Sequence, residues 1–328
     1  MTMAPLLDIR NLGVVFDTDD GVLTAVDDVS FSVNPGEVVG LVGESGCGKS
    51  VTAMTALRLI PRPPGRIVSG EVWFGGRNLL TLPSADLRTV RGAGIGLIFQ
   101  EPTQALSPLH RVGSQLVEAI QMHRDLPAGE AHRYAMDWLR KVGIPDPAER
   151  MRAYPFSLSG GMLQRVMIAM ALMLGPSLVI ADEPTTALDV TIQAQILALL
   201  RELKTPDTAV LLITHDLGIV WEMCDRVVVM YASRMVEQGP LEAVFRMPAH
   251  PYTRALLDSV VSLTGGDRKL VAIEGQVPSP LAYPAGCRFA PRCPHAFDRC
   301  RREQPPLFSI AESRVSACFL AEEVNSKK

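Results

Sequence analysis

Residues 43 to 50 read Gly43-Glu44-Ser45-Gly46-Cys47-Gly48-Lys49-Ser50, a run that fits G-x-x-x-x-G-K-[ST]. It follows an apolar stretch at 37 to 42 and precedes a segment, 50 to 60, in which small and apolar residues alternate. The first reads as a buried strand and the second as a helix, so a glycine-rich turn joins a strand end to a helix N-terminus. Glycines let successive backbone N–H groups turn toward one anion, and the helix end adds partial positive charge. Lys49 brings a full positive charge to the β/γ-phosphates, and the Ser50 hydroxyl suits Mg²⁺. These eight residues form a cradle for a nucleoside triphosphate. Cys47, at a variable position of the pattern, reads as a small side chain on a permissive site rather than a redox centre.

Further β-like apolar runs lie at 95 to 99, 178 to 181, 210 to 214 and 227 to 231. The last three alternate with helical patterns near 190 to 203 and 216 to 223, which predicts a parallel sheet flanked by helices, an α/β fold. Between 103 and 165 the texture changes to helical periodicity at 112 to 122 and 131 to 142 with Pro and Gly between, read as an inserted helical subdomain. The expected organisation is a nucleotide-binding core in two parts, 1–102 and 166–240, a helical subdomain at 103–165, and a C-terminal extension at 241–328. Gly265-Gly266 and a Pro-rich texture mark the extension as rich in loops.

Composition removes other classes. With 328 residues, 47% of them hydrophobic, the chain can build about two domains with real cores. Lys plus Arg number 32 against 35 for Asp plus Glu, and a net charge of -3 argues against a protein that coats nucleic acid phosphates. The longest apolar stretch, 166 to 174, ends at Gly175-Pro176, far short of the ~20 residues that span a bilayer. The N-terminus lacks the basic and apolar segments of a secretory signal, so the chain is expected in the cytosol, where thiols stay reduced.

A second acidic element is Leu178-Val179-Ile180-Ala181-Asp182-Glu183, a strand ending in two carboxylates, where open α/β sheets place their chemistry. Beside a phosphate loop, Asp182 is expected to hold Mg²⁺ through its water shell, and Glu183 to orient or deprotonate the water that attacks the γ-phosphate.

Leu158-Ser159-Gly160-Gly161-Met162-Leu163-Gln164-Arg165, shortly before the acidic pair, resembles the signature motif of ATP-binding cassette (ABC) ATPases. Gln100, Asp189 and His215 stand where that family has its Q-loop, D-loop and switch histidine. The resemblance implies a P-loop cassette with a RecA-like core, an antiparallel β subdomain and an inserted helical subdomain. It also implies that two cassettes dimerise head to tail, with ATP between the phosphate loop of one and the signature residues Ser159, Gly160, Gly161 and Met162 of the other. Ser159 and its glycines begin a predicted helix and can present a hydroxyl and N–H groups to an anion; a plain helix N-cap is the alternative. By the same match His215 senses the γ-phosphate and positions Glu183, Gln100 contacts Mg²⁺, and Phe16 either stacks on adenine or fills the core.

Phe99-Gln100-Glu101-Pro102, Leu106-Ser107-Pro108, the Ser-Gly-Gly-Met signature, residues 182 to 195 and His250-Pro251-Tyr252-Thr253 are together similar to the ATPases of oligopeptide, dipeptide and nickel importers. The chain departs from that subfamily at Glu101 and Leu163, neither of which removes a phosphate-contacting group. The similarity implies an ATPase subunit, peripheral on the cytoplasmic face of the membrane. Its implied partners are two transmembrane permeases, a second homologous ATPase subunit and an extracytoplasmic peptide-binding protein, with no nucleic acid. A soluble ABC ATPase acting on ribosomes or DNA is the alternative, as is cargo of nickel, another metal chelate or glutathione.

Cys287, Cys293, Cys300 and Cys318 give the Pro-rich tail four thiols, enough for tetrahedral Zn²⁺ or a [4Fe–4S] cluster, with free thiols as the remaining alternative. The short C-x2–4-C pair usual in zinc modules is missing, and in the dipeptide importer ATPases this region resembles an iron–sulfur site. A cross-linking group would help so loop-rich a tail stay ordered. Cys224 is expected to pack in the core.

Overall fold

The structure is a computed structural model that describes residues 4–186, 189–259 and 273–325. The Gly265-Gly266 linker lies outside the described residues. The chain divides into two compact units, one of Met1–Val33, Glu37–Leu80 and Thr214–Lys328, the other of Asn34–Gly36 and Thr81–Ile213.

The first unit opens with an antiparallel sheet in the order Gly21–Val33, Leu7–Thr18, Gly65–Phe74, Arg77–Asn78. Leu7, Ile9, Leu12 and Val14 of one strand and Val26, Val29, Phe31 and Val33 of its neighbour are buried, as expected of strands with one covered face. Register shifts between Ile9 and Val15 let the long hairpin bend. The strand Val38–Val42 is buried throughout and runs parallel to Arg226–Tyr231. The helix after it, Lys49–Ala56, is shorter than its sequence pattern predicts. Arg58 turns to φ 53° and Pro61 follows, so the chain leaves the helix before residue 60.

The C-terminal extension belongs to this same unit and completes its sheet. Phe308–Ala311 and Arg314–Ser316 form a hairpin whose second strand pairs antiparallel with Arg234–Pro240, itself paired with Arg226–Tyr231. Two features anchor it. Fully buried Glu237 accepts from Arg314 at 3.0 Å and from the backbone N–H groups of Ala249 and His250, each at 2.9 Å. Phe289 packs against Tyr231 and Tyr252 at centroid distances of 5.2 and 5.5 Å, and burying a ring of that size contributes about 2–3 kcal/mol. Added strands and buried aromatics thus hold the tail to the unit. The sequence alone suggested only that a cross-linking group would help order the tail, because these packing partners lie upstream in the sequence.

The second unit holds three parallel strands in the order Ile95–Ile98, Leu178–Asp182, Ala209–Ile213, all but one of their residues buried. Around them lie Val112–Gln121, Ala128–Lys141, Gly160–Leu172 and Val190–Leu203. The apolar run at 166 to 174 proves to be mostly core helix, with Val166, Met167, Ile168, Ala169 and Met173 buried. Among the described residues no helix is long and apolar enough to cross a membrane.

Candidate nucleotide site

In the first unit the glycine-rich turn rises from Val42 and enters the helix at Lys49. Gly43 has φ 150°, and a Cβ there would stand 2.1 Å from the Met230 carbonyl; Gly48 has φ 98°, with a Cβ placed 2.2 Å from the Ala25 carbonyl. Only glycine lets the loop curl this tightly against its own strands. Ser45 and Gly46 form the exposed crest, and Ser50 is half-buried one residue into the helix. Lys49 is buried, and its Nζ donates to the carbonyls of Gly43 at 2.8 Å and Glu44 at 3.1 Å. Cys47 is buried 3.8 Å from that Nζ. Burial pushes its thiol up despite the lysine, which disfavours the reactive thiolate and agrees with a packing role.

Two residues that the sequence reading did not single out individually also hold this loop. Tyr252, known there only as part of a four-residue motif, accepts the Glu44 backbone N–H on its hydroxyl at 2.9 Å. Arg292 grips both oxygens of the Glu44 carboxylate, at 2.8 and 3.1 Å. Separations of 208 and 248 residues hide both contacts from any local pattern. His215 is exposed; the residue before it, Thr214, donates its N–H to the Leu41 carbonyl at 3.3 Å. Asp216 caps the helix Leu217–Met223 through the Gly218 N–H at 2.8 Å. Phe16 is half-buried, its ring edge against Gly65.

In the second unit Asp182 is the buried last residue of its strand. Glu183 follows at φ 45°, a left-handed conformation that costs a non-glycine residue of order 1–3 kcal/mol and that a donated Glu183 N–H to the Ile213 carbonyl, 2.8 Å, helps to fix. Two neutral donors reach its Oε2: Gln100 Nε2 at 3.1 Å and Thr186 Oγ1 at 2.8 Å. The structure therefore brings Gln100 and Glu183 together across 83 residues of sequence and adds Thr186, missed earlier because a threonine in a turn carries no signal alone. Gln164, inside the signature helix, donates to the Pro184 carbonyl at 2.5 Å and ties the two motifs.

Ser159 caps the helix Gly160–Leu172, accepting the Met162 N–H at 3.4 Å, and Ser159 and Gly160 are exposed while Gly161 and Met162 are half-buried. Asp189 is exposed and caps Val190–Leu203 through the Ile192 N–H at 3.0 Å.

The tail cysteines converge. Cys287, Cys293, Cys300 and Cys318 line one small cavity with Phe289 and Phe319. Burial raises the first two thiols and takes Cys318 up to about 11, with the other three sulfurs adding to its shift. Backbone N–H groups of Phe289 and Ala290, His295 and Leu320 donate toward Cys287, Cys293 and Cys318 respectively and favour the thiolate. Among the described residues no group of three or more His, Cys, Asp or Glu is arranged to hold a metal ion. Cys224 is buried apart from them, its thiol pushed up to about 12.

Comparison with known proteins bears on both ends of the chain. Residues 26–186 match the ABC transporter family, and residues 236–300 match the oligopeptide/dipeptide transporter C-terminal region. A probable peptide ABC transporter ATP-binding protein of Sinorhizobium fredii is 51% identical over 97% of this chain and 96% of its own. The oligopeptide transport ATP-binding protein OppD of Salmonella typhimurium is 48% identical over 96% and 93%. The dipeptide transport ATP-binding protein DppD of Escherichia coli is 47% identical over 95% and 96%. Among solved structures, the dimeric ATP-binding cassette MJ0796 in a post-hydrolysis state with ADP and Pi aligns with TM-score 0.64 at 25% identity, covering 72% of this chain and 98% of the other.

Proposed function

The chain belongs to the ATP-binding subunits of ABC transporters, in the branch that carries the oligopeptide/dipeptide transporter C-terminal region, and from that premise we propose that it is the ATP-hydrolysing subunit of a peptide importer. The carrying observation is the Glu183 carboxylate, set on a left-handed backbone just beyond Asp182 and held by Gln100 and Thr186. A carboxylate fixed in this way can take a proton from water without first reorganising.

In this reading the N–H groups of residues 45 to 50 and the Lys49 ammonium bind the phosphates, and Ser50 and Asp182 supply the hard oxygen donors that suit Mg²⁺. The metal, when bound, neutralises charge on the transferred phosphoryl group. Glu183 orients and deprotonates the attacking water, Gln100 steadies Glu183, and His215 contacts the γ-phosphate. Phe16 offers a half-exposed ring to the adenine. Ser159, Gly160, Gly161, Met162 and Asp189 act on nucleotide held by a second, homologous cassette, consistent with the exposure of Ser159, Gly160 and Asp189. ATP binding closes the pair and hydrolysis reopens it, moving two permease subunits that an extracytoplasmic binding protein supplies with di- or oligopeptides. The subunit is thus peripheral on the cytoplasmic face.

The four thiols fit a [4Fe–4S] cluster better than zinc. What supports the cluster is that the four cysteines line one small cavity and that backbone N–H groups donate toward Cys287, Cys293 and Cys318, as suits the sulfur ligands of a cluster. Such a cluster would serve as a structural cross-link among Cys287, Cys293, Cys300 and Cys318.

The test is reconstitution of the subunit with its permeases, partner ATPase and binding protein in vesicles. ATP-dependent uptake of labelled peptides is the expected result; uptake of nickel chelate or glutathione in their place would reassign the cargo, and absence of nucleotide-dependent cassette pairing would overturn the reading.

A further inference from the structure

We propose that Arg292 and Tyr252, both in the C-terminal extension, are positioning residues of the phosphate-binding loop and that they act through Glu44. The inference rests on the ATPase reading above and concerns what that loop needs in order to accept a polyanion.

Glu44 is the one acidic residue among residues 43 to 50. A carboxylate in a cradle for phosphates opposes the ligand by direct repulsion, an effect that grows where water is scarce. Arg292 cancels that charge with both arms of its fork, Nη1 to Oε2 at 2.8 Å and Nη2 to Oε1 at 3.1 Å. The guanidinium is itself immobilised: Nε donates to the Glu274 carbonyl at 2.9 Å, Nη2 to the Ile273 carbonyl at 3.0 Å, and Nη1 to the Tyr231 hydroxyl at 3.3 Å. With its side chain only 4% exposed, Arg292 is a fixed countercharge rather than a surface partner. A lysine could not reproduce the two parallel bonds.

Tyr252 holds the main chain at the same residue. Its hydroxyl accepts the Glu44 N–H, its ring lies 4.5 Å from that of Tyr231, and its own N–H donates to Nδ1 of buried His250 at 3.0 Å. Side chain and backbone of Glu44 are therefore both clamped from the extension, which sets where the loop begins and keeps its one acidic side chain neutralised. The motif at 250 to 253 and the basic residue next to Cys293 thereby gain a task at the nucleotide.

The experiment titrates a fluorescent ATP analogue into the full-length chain, with melting curves to confirm folding. Arg292→Ala is expected to weaken binding about tenfold through the uncovered Glu44 charge, with the loss shrinking as salt rises. Adding Glu44→Gln to that variant should restore most of the affinity, which a merely structural defect would not allow. In the assembled transporter, KM for ATP should rise while kcat changes little. Wild-type affinity in folded Arg292→Ala, or an equal loss in the double variant, overturns the proposal. If Arg292→Ala does not fold, Arg292→Lys and Tyr252→Phe decide it: about threefold weaker binding supports it, and unchanged affinity in both overturns it. A wild-type chain that binds no nucleotide would overturn the ATPase reading as well.

Discussion

The side-chain amide of Gln100 donates to the Glu183 carboxylate at 3.1 Å, joining the end of one buried parallel strand to the end of its neighbour. A residue assigned to contact Mg²⁺ thus also touches the proposed base.

Replacing Glu183 with Gln is expected to preserve ATP binding and lower turnover by at least about a hundredfold, since a neutral amide cannot accept the proton from water. Phosphate release by the assembled complex, alongside nucleotide retention, measures both. Hydrolysis at the wild-type rate would remove Glu183 from its role.

Thr186→Val deletes a neutral hydrogen bond to Glu183 at nearly constant volume. Losing a bond worth about 1 kcal/mol should lower kcat roughly fivefold to tenfold. KM for ATP should hold within about twofold, because the hydroxyl acts on the base and not on the nucleotide. A change confined to KM would contradict this.

His250 supplies the pH dependence. Burial pushes its pKa down from 6.5 to about 3, so the folded chain keeps it neutral where the unfolded chain protonates it. Unfolded protein then binds the additional proton, and stability falls as pH drops below about 6.5 toward 3, by up to about 1.4 kcal/mol per pH unit. Denaturant melts between pH 7 and 5 should show this slope, and His250→Asn, which can still accept the Tyr252 N–H without titrating, should flatten it.

Protein purified without oxygen is expected to be brown, with iron and acid-labile sulfide in equal amounts, and to turn colourless with all four tail cysteines changed to Ser. Loss of the group should lower the melting temperature less than in a metal-dependent mini-domain, since the hairpin at 308 to 316 and Phe289 hold the extension independently. A colourless preparation with stoichiometric zinc would reverse the assignment.

The phosphate loop, the acidic strand end at Asp182 and Glu183, the helix that begins after Ser159 and the parallel strands were all legible in the sequence. Each is local: a turn that only glycine permits, a side chain beside the N–H groups it caps, a strand buried on both faces and therefore apolar throughout. What the tertiary structure alone decided are contacts over long separations. Thr186 against Glu183, Arg292 and Tyr252 against Glu44, Glu237 beneath Arg314, and a tail that becomes part of a sheet leave no periodicity to read. A buried charge is recognisable only with its countercharge in place, and which of the chain's arginines reaches Glu44 is settled by how the sheet and the aromatic cluster bring the extension back to the loop.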